Sequence, residues 1–193
     1  MKKLEIIFII FALVGVAMKL LYIPLAGFTI TISFTGLAII YFLSVPNNRI
    51  VVPSIFYDKE TYNELKPLGV FGLRIFGWSL STVLIGILFT LQFWKNGRFF
   101  LVLGLISLFL GLLLSVKEFR SAIPDLYTKM IRRIVVIGGL GLMIFMTRPI
   151  ILFEIFHRDN PALVESARNY WADPGNKELK AEYERQRKLT SSQ

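Results

Sequence analysis

Five ionisable side chains stand within or beside the long apolar runs of this sequence. Proton or ion translocation requires such groups to face the interior of a helix bundle. They are Glu5, Lys19, Arg74, Arg148 and Glu154. Each lies near the predicted end of a run, so we interpret them mainly as anchors whose charges reach the water boundary. Lys19 has a second possibility, because Gln92 lies at a similar depth in another run and could form a hydrogen bond with it inside the apolar layer.

No other group of residues has the composition of a catalytic or metal site. The chain has no cysteine and one histidine, His157, which excludes disulfides, thiolate sites, zinc clusters and a histidine pair for haem. The glycines at 138, 139 and 141 lack the strand–loop–helix context of a phosphate-binding loop, and no serine lies in a nucleophile elbow. We therefore expect no enzyme activity, no cofactor and no metal.

Small residues on two of the runs predict close helix contacts. Gly104, Ser107 and Gly111 occur at i, i+3 and i+7 and give one run a small-residue face. Another run has a smaller patch of three glycines, Gly138, Gly139 and Gly141. Small residues let helix backbones approach closely in lipid. These positions are candidates for packing within the bundle or for contact with a partner, and we favour packing within the bundle.

The apolar runs predict an all-α polytopic integral membrane bundle. Hydrophobic residues make up 54% of the 193 residues and charged residues only 18%, and the charges cluster between runs of membrane-crossing length. Five spans are expected, forming a bundle over residues 1–156; their approximate ranges are 6–23, 25–45, 75–94, 99–116 and 134–153. The fifth is the least regular, because Arg148 and Pro149 interrupt it, and a re-entrant or interfacial segment is the alternative.

Polar segments separate these runs. Residues 46–68 and 117–133 form the two longer polar connections, and residues 157–193 form a short, charged helical tail. Within the tail, Asp159-Asn160-Pro161 is a helix-start signal, and the helix that follows the turn at 173–176 is highly charged.

The distribution of basic residues predicts the orientation. With the N-terminus in the cytoplasm, the predicted cytoplasmic segments before the tail contain eleven lysines and arginines, against three on the opposite side, Lys19, Lys95 and Arg98. This bias follows the positive-inside rule and accounts for the net charge of +9 better than nucleic-acid binding does. Five spans would place the tail in the periplasm, although its basic residues favour the cytoplasmic side.

The first two runs form a helical hairpin that recurs later in the chain. Its turn contains Lys19, Tyr22, Pro24 and Gly27, and we expect Pro24 to end the helix and Gly27 to supply a positive φ. A shift of 71 residues aligns residues 15–45 with 86–116 without gaps. The agreement includes the turn, its aromatic neighbours and both helix ends, which favours duplication of the hairpin.

The stretch from Met18 to Gly27, MKLLYIPLAG, resembles the Lys-x-x-(His/Tyr)-x-Pro-Gly-Ala hairpin of Bacteroidetes inner-membrane proteins related to the L subunit of the gliding-motility motor. The resemblance implies a bacterial inner membrane and a hairpin fold. Motor function does not carry over, because that subunit is thought to use a membrane-buried carboxylate and the second run here has none.

These features predict a non-catalytic membrane subunit or scaffold that associates with a larger membrane complex. A small oligomeric transporter or channel is the alternative, suggested by the repeated hairpins. The expected partners are membrane lipids and either a larger membrane protein or further copies of the chain, without nucleic acid.

Overall fold

The computed structural model describes residues 2–44, 67–122 and 124–191. Within these ranges the chain is helical and has no β-strand, which confirms the all-α part of the predicted fold class. It divides into two compact units, Met1–Met146 and Thr147–Gln193. The predicted polar connection 46–68 lies outside the described residues except for its last two.

The described residues of the first unit form four long helices followed by a short helix, a π-helical turn and another short helix. In chain order they are α1 (Lys2–Leu20), α2 (Ala26–Leu43), α3 (Pro67–Leu91), α4 (Gly97–Ala122), α5 (Pro124–Arg133), the π turn (Ile134–Gly138) and α6 (Gly139–Met146). Helix α3 is central, since it packs against α2, α4, the π turn and α6, whereas α1 packs chiefly on α2. The predicted polar connection 117–133 is mostly helical, as the end of α4 and as α5.

Among the described residues, two helical segments are long and apolar enough to cross a membrane, Ala26–Leu43 and Val70–Leu91. A third results if the helical segments on either side of Thr147-Arg148 form one span. Helix α1 has a suitable length of 19 residues, but it contains Lys3, Glu5 and Lys19. The described helices are therefore compatible with a membrane location.

The two hairpin turns have the same backbone conformation, residue for residue, at the predicted shift of 71. Tyr22 and Phe93 have φ values of 56° and 55°, and Leu25 and Asn96 have values of 68° and 65°. In the first turn, Ile23 N donates to Met18 O at 2.9 Å, and in the second the equivalent N–H, of Trp94, donates at 2.8 Å to the equivalent carbonyl. Both first helices thus end in a Schellman motif with an aromatic residue in the left-handed position usually occupied by glycine.

The expectation that Gly27 supplies a positive φ is wrong. Gly27 lies in α2, and no described glycine has a positive φ. A Cβ atom at Gly27 would lie 3.5 Å from the Gln92 side chain, so glycine makes room for a neighbour here. The left-handed residues are Tyr22 and Leu25, because the Schellman hydrogen bonds fix the conformation of the chain leaving α1.

Glycines bring the helices of the second hairpin close together. A Cβ atom at Gly86 would lie 2.6 Å from Leu101 N, and one at Gly104 would lie 2.7 Å from Val83 N. In the first hairpin, a Cβ atom at Gly15 would lie 3.0 Å from Ile30 N, at the position equivalent to Leu101. The repeat therefore extends from the turns to the helix contacts.

The π turn adjusts the register of the segment that follows α4. Met130 and Arg133 are buried before it, Gly138 is buried at its last position, and Gly141 and Ile144 are buried after it. The intervals are three, five, three and three residues, so the turn adds one residue between two otherwise regular helical faces. This added residue lets Arg133 and Gly138 face the same interior.

The predicted fifth span, 134–153, is not one continuous helix. Helix α6 ends at Met146, Arg148 is extended at φ −64° and ψ 137°, and Pro149 begins α7. Proline disfavours a helical conformation in the preceding residue, which explains the break. The compact units accordingly divide after Met146, ten residues before the boundary expected from composition.

The second unit consists of α7 (Pro149–Phe156), α8 (Pro161–Ala172) and α9 (Lys177–Ser191). The Asn160 side chain accepts a hydrogen bond from Leu163 N at 3.1 Å, as the helix-start signal predicts. Phe153 is buried, with its ring centroid 5.2 Å from that of Trp171 and 6.3 Å from that of Tyr183. Burial raises the pKa of the Tyr183 phenol. These aromatic contacts give the unit a small apolar centre of its own.

Candidate functional site

The first of two polar clusters inside the first unit joins helices α1, α2 and α5. Arg133 donates to both carboxylate oxygens of Glu5, from Nε to Oε1 at 3.0 Å and from Nη2 to Oε2 at 2.8 Å. The Tyr41 hydroxyl donates to Glu5 Oε1 at 2.6 Å. Glu5 is 7% exposed, Arg133 9% and Tyr41 1%. Such a fork-to-fork pair is the geometry in which a buried carboxylate and guanidinium stabilise each other best.

The positions of Glu5, Tyr41 and Arg133 on their helices explain why these side chains are in contact. Glu5 is in the first turn of α1, Tyr41 is near the end of α2, and α1 and α2 form a hairpin that brings these two ends together. Arg133 is the last residue of α5 and also donates from Nη1 to Lys129 O at 3.3 Å. The interpretation of Glu5 as a boundary anchor is therefore wrong, because its carboxylate lies between helices.

The second cluster lies beside the two hairpin turns. Lys19 Nζ donates to Leu91 O, at the end of α3, and to Gln92 Oε1 at 3.4 Å. Gln92 Nε2 donates to Gly27 O at 2.6 Å and to Thr31 Oγ1 at 3.2 Å. The structure thus brings together the Lys19 and Gln92 side chains singled out from the sequence.

The environment of Lys19 is that of a helix C-terminal cap. A cation beside the last carbonyls of a helix interacts favourably with the helix dipole, and Leu91 O is one of those carbonyls. The ammonium also lies 5.2 Å from the centroid of the Phe93 ring, within the range of a cation–π interaction. Lys19 therefore connects the first hairpin to the end of the second hairpin's first helix.

The two clusters lie near opposite ends of the hairpins. Glu5 and Lys19 are 14 residues apart on α1, which corresponds to about 21 Å along the helix. Each cluster places a charge between helices and surrounds it with protein donors or acceptors. This arrangement is suited to joining helices in an apolar environment, where an unpaired charge is costly.

The small-residue positions named from the sequence have different environments. Gly104 lies against Val83, and a Cβ atom at Gly111 would lie 2.9 Å from Ile75 Cγ2, so both contact α3, whereas Ser107 is half-buried. A Cβ atom at Gly138 would lie 3.0 Å from Leu108 Cδ2, and one at Gly141 would lie 2.7 Å from Val83 Cγ1. Gly139 has open space around its Cα. Four of these six positions contribute to packing within the unit.

The other singled-out residues are placed apart from both clusters. Tyr22 and Pro24 form the first turn. Glu154 forms an ion pair with Arg168 at 2.6 Å in the second unit. The His157 ring stacks on Phe153 at a centroid distance of 4.1 Å. Within the described ranges no group of three or more potential metal ligands occurs.

Sequence analysis missed the roles of Arg133 and Tyr41. Arg133 appears in the sequence as one of several cytoplasmic basic residues, and Tyr41 as one aromatic residue in an apolar run. The only available signal was that Glu5, an acid at the start of a membrane-length run, needs a basic partner.

Comparisons with known proteins give no family for this chain. No protein-family model, curated protein or solved structure matches it. The proposals below consequently depend on the geometry of this chain and on its charge distribution.

Proposed function

We propose that this chain is a non-catalytic subunit or scaffold of a bacterial inner membrane, which holds a larger membrane protein through the exposed face of α1. The observation that supports this proposal best is the set of contacts that the charged side chains make between helices. Glu5, Lys19 and Arg133 all bind other helices of the same unit, which favours a preassembled bundle over one that moves ions.

The proposed topology has five spans with the N-terminus in the cytoplasm. Besides the two strongest spans, α1 is about 28 Å long and α4 about 39 Å, which is enough to reach across the hydrocarbon layer. Exposed aromatic side chains, Tyr22 and Trp94, lie at the turn end, where an interfacial aromatic belt is expected. The fifth span would comprise α5, the π turn and α6, and it would end at Met146 with the tail in the periplasm.

Helix α1 is the element best placed to receive a partner. Ala12 and Gly15 are buried in the unit, whereas Ile6, Ile10 and Leu13 occur at i, i+4 and i+7 and are exposed by 56%, 54% and 68%. Lipid alone could cover such a face. A partner helix is proposed because, among the described residues, α1 packs chiefly on α2 and would gain stability from a second neighbour.

Site-specific photo-crosslinking in native membranes tests this proposal. A photoreactive residue at Ile10 or Leu13 is expected to crosslink to one larger membrane protein, identified by mass spectrometry after purification in mild detergent. The matched control is Phe109, which is exposed to a similar degree, by 60%, on α4. Crosslinks of equal yield from α1 and Phe109, or crosslinks only to further copies of the chain, would contradict the proposal.

The alternative, an oligomeric transporter or channel, is supported by the duplicated hairpins, since internal repeats are common in transporter folds. It predicts a homo-oligomer whose flux in proteoliposomes is lost on Lys19→Ala or Gln92→Leu. The subunit proposal predicts that these substitutions weaken the contact between the hairpins and that the protein has no flux to lose.

A further inference from the structure

A surface pocket of about 440 Å³ lies within the second unit, where α7 and the turn after it face α8. Glu154 and Arg158 line one side, and Glu165, Arg168 and Asn169 line the other. The volume is within the range of small-molecule sites. Neither of the two polar clusters in the first unit is part of this pocket.

The charged lining suits a zwitterion. Two guanidiniums offer planar pairs of N–H donors, which match the oxygens of a phosphate group. Two carboxylates offer acceptors for an ammonium group. Arg168 Nη2 already donates to Glu154 Oε1 at 2.6 Å, which holds one cation and one anion side by side in the pocket. A ligand with a phosphate and a primary ammonium a few bonds apart would match this arrangement.

The same face of α7 continues into an apolar surface. Ile151, Glu154 and Ile155 occur at i, i+3 and i+4 on α7, so the isoleucines share a face with the pocket residue Glu154. Ile151 and Ile155 are 44% and 46% exposed, whereas Phe153 is buried. Apolar residues beside polar ones on one exposed helix face are typical of a helix lying in the membrane interface.

Chain connectivity keeps the start of α7 close to the end of α6. Only Thr147 and Arg148 separate α6 from α7, and two extended residues span at most about 7 Å. If α6 ends the fifth span, α7 begins at the level of the lipid headgroups.

We propose that the second unit binds the headgroup of a phospholipid with a primary ammonium, of the phosphatidylethanolamine class. Arg158 and Arg168 contact the phosphate, Glu154 and Glu165 contact the ammonium, and Ile151 and Ile155 lie at the acyl-chain boundary. This inference rests on the membrane placement in the proposed function.

The pocket chemistry also predicts selectivity. A choline headgroup has no N–H donor for the carboxylates. Proteins that bind choline surround it with aromatic side chains, and the residues that line this pocket include no aromatic one. Phosphatidylglycerol offers the same phosphate to the two arginines but has no ammonium, so it supplies no cation to the two carboxylates. Ethanolamine lipids should therefore bind more tightly than either.

Native mass spectrometry of the full-length protein tests the site. The protein, in mild detergent, is mixed with equal amounts of phosphatidylethanolamine, phosphatidylcholine and phosphatidylglycerol with identical acyl chains, and the retained lipids are counted. The ethanolamine lipid is expected to be retained at several times the level of the others. Arg158→Gln and Glu165→Gln should each lower its affinity about tenfold, the size of one charge-assisted hydrogen bond.

Two α9 variants, Lys180→Gln and Glu184→Gln, serve as controls, because they remove the same charges from an exposed pair that does not line the pocket. Circular dichroism shows whether each variant is folded, and having two independent pocket variants keeps the test decisive if one misfolds. Equal retention of the three lipids, a preference for phosphatidylglycerol, or equal losses in the control variants would overturn the inference.

This test is separate from the test of the proposed function. Lipid preference is measured on solubilised protein, whereas partner crosslinking at α1 is measured in native membranes. Crosslinks without lipid preference would leave the subunit proposal standing and remove the headgroup site. Lipid preference without a crosslinked partner would support the headgroup site and contradict the subunit proposal.

Discussion

Replacing Arg133 with methionine is the most direct test of the cluster that joins α1, α2 and α5. Methionine keeps most of the side-chain length but removes the guanidinium. Both hydrogen bonds to Glu5 are lost, together with the bond to Lys129 O. Among the described residues, the Glu5 carboxylate, 7% exposed, then keeps the Tyr41 hydroxyl as its hydrogen-bond partner.

The expected loss of stability follows from the burial of the pair. Removing one partner of a buried ion pair costs about 3–5 kcal/mol, because the remaining charge stays desolvated. For a chain of this size, 1 kcal/mol shifts the melting temperature by about 2–4 °C, so Arg133→Met should lower it by about 6–20 °C. Combining it with Glu5→Gln removes both charges of the pair and keeps an acceptor for Tyr41. The double variant should lose only about 1–2 kcal/mol relative to the original protein.

Thermal unfolding in one detergent, followed by circular dichroism at 222 nm, measures these shifts. The matched control is Arg132→Met, which removes the same charge from the neighbouring exposed residue and should shift the melting temperature by less than about 2 °C. Equal shifts for Arg132→Met and Arg133→Met would refute the reasoning. Additive losses in the double variant would also refute it, because the two charges would then act independently.

Three further predictions concern the backbone, and thermal unfolding in the same detergent measures each. Deleting Val136 should lower the melting temperature less than deleting Met143. The first deletion turns the π turn into regular helix, whereas the second rotates the end of α6 out of register. Similar losses of folded protein for the two deletions would contradict this interpretation. Leu25→Asn should raise stability by up to about 1 kcal/mol, since asparagine tolerates the left-handed conformation better than leucine and the exposed side chain loses little contact; a lower melting temperature would argue against backbone strain at this turn. Gly86→Ala should lower the free energy of unfolding by about 1–3 kcal/mol, because the added methyl group clashes with the α4 backbone. Gly139→Ala should be neutral or stabilising, since the space around this glycine is open. The opposite order would show that the close helix contact is not rigid.

The features predicted correctly from the sequence are those with local signals. Apolar runs indicate helices because each run is continuous, and Asn160 begins α8 because its capping interaction involves a residue only three positions away. The repeat was also detectable, since its matches keep one constant shift. Lys19 and Gln92 stood out because each is a polar residue at a similar depth in an aligned apolar run, and the structure joins them.

The features that sequence analysis missed depend on distant contacts or on one-residue changes in backbone geometry. Glu5 and Arg133 are 128 residues apart, and no local pattern links them. The π turn adds one residue to an apolar run without changing its composition. The positive φ of the first turn was assigned to Gly27, because glycine is the usual residue in that conformation. The two hairpins instead use Tyr22 and Phe93.

The long separation between Glu5 and Arg133 has a consequence for biosynthesis. A ribosome that adds about 5–20 residues per second needs about 6–26 seconds to progress from one residue to the other. During that interval α1 is complete, but its acidic side chain lacks the guanidinium that later neutralises it. In the proposed topology, the first turn of α1 remains at the cytoplasmic water boundary or beside a polar surface of the insertion machinery until Arg133 emerges. The hairpin can close early through its own local turn, and in that topology its final depth in the bilayer is set only when the last third of the chain arrives.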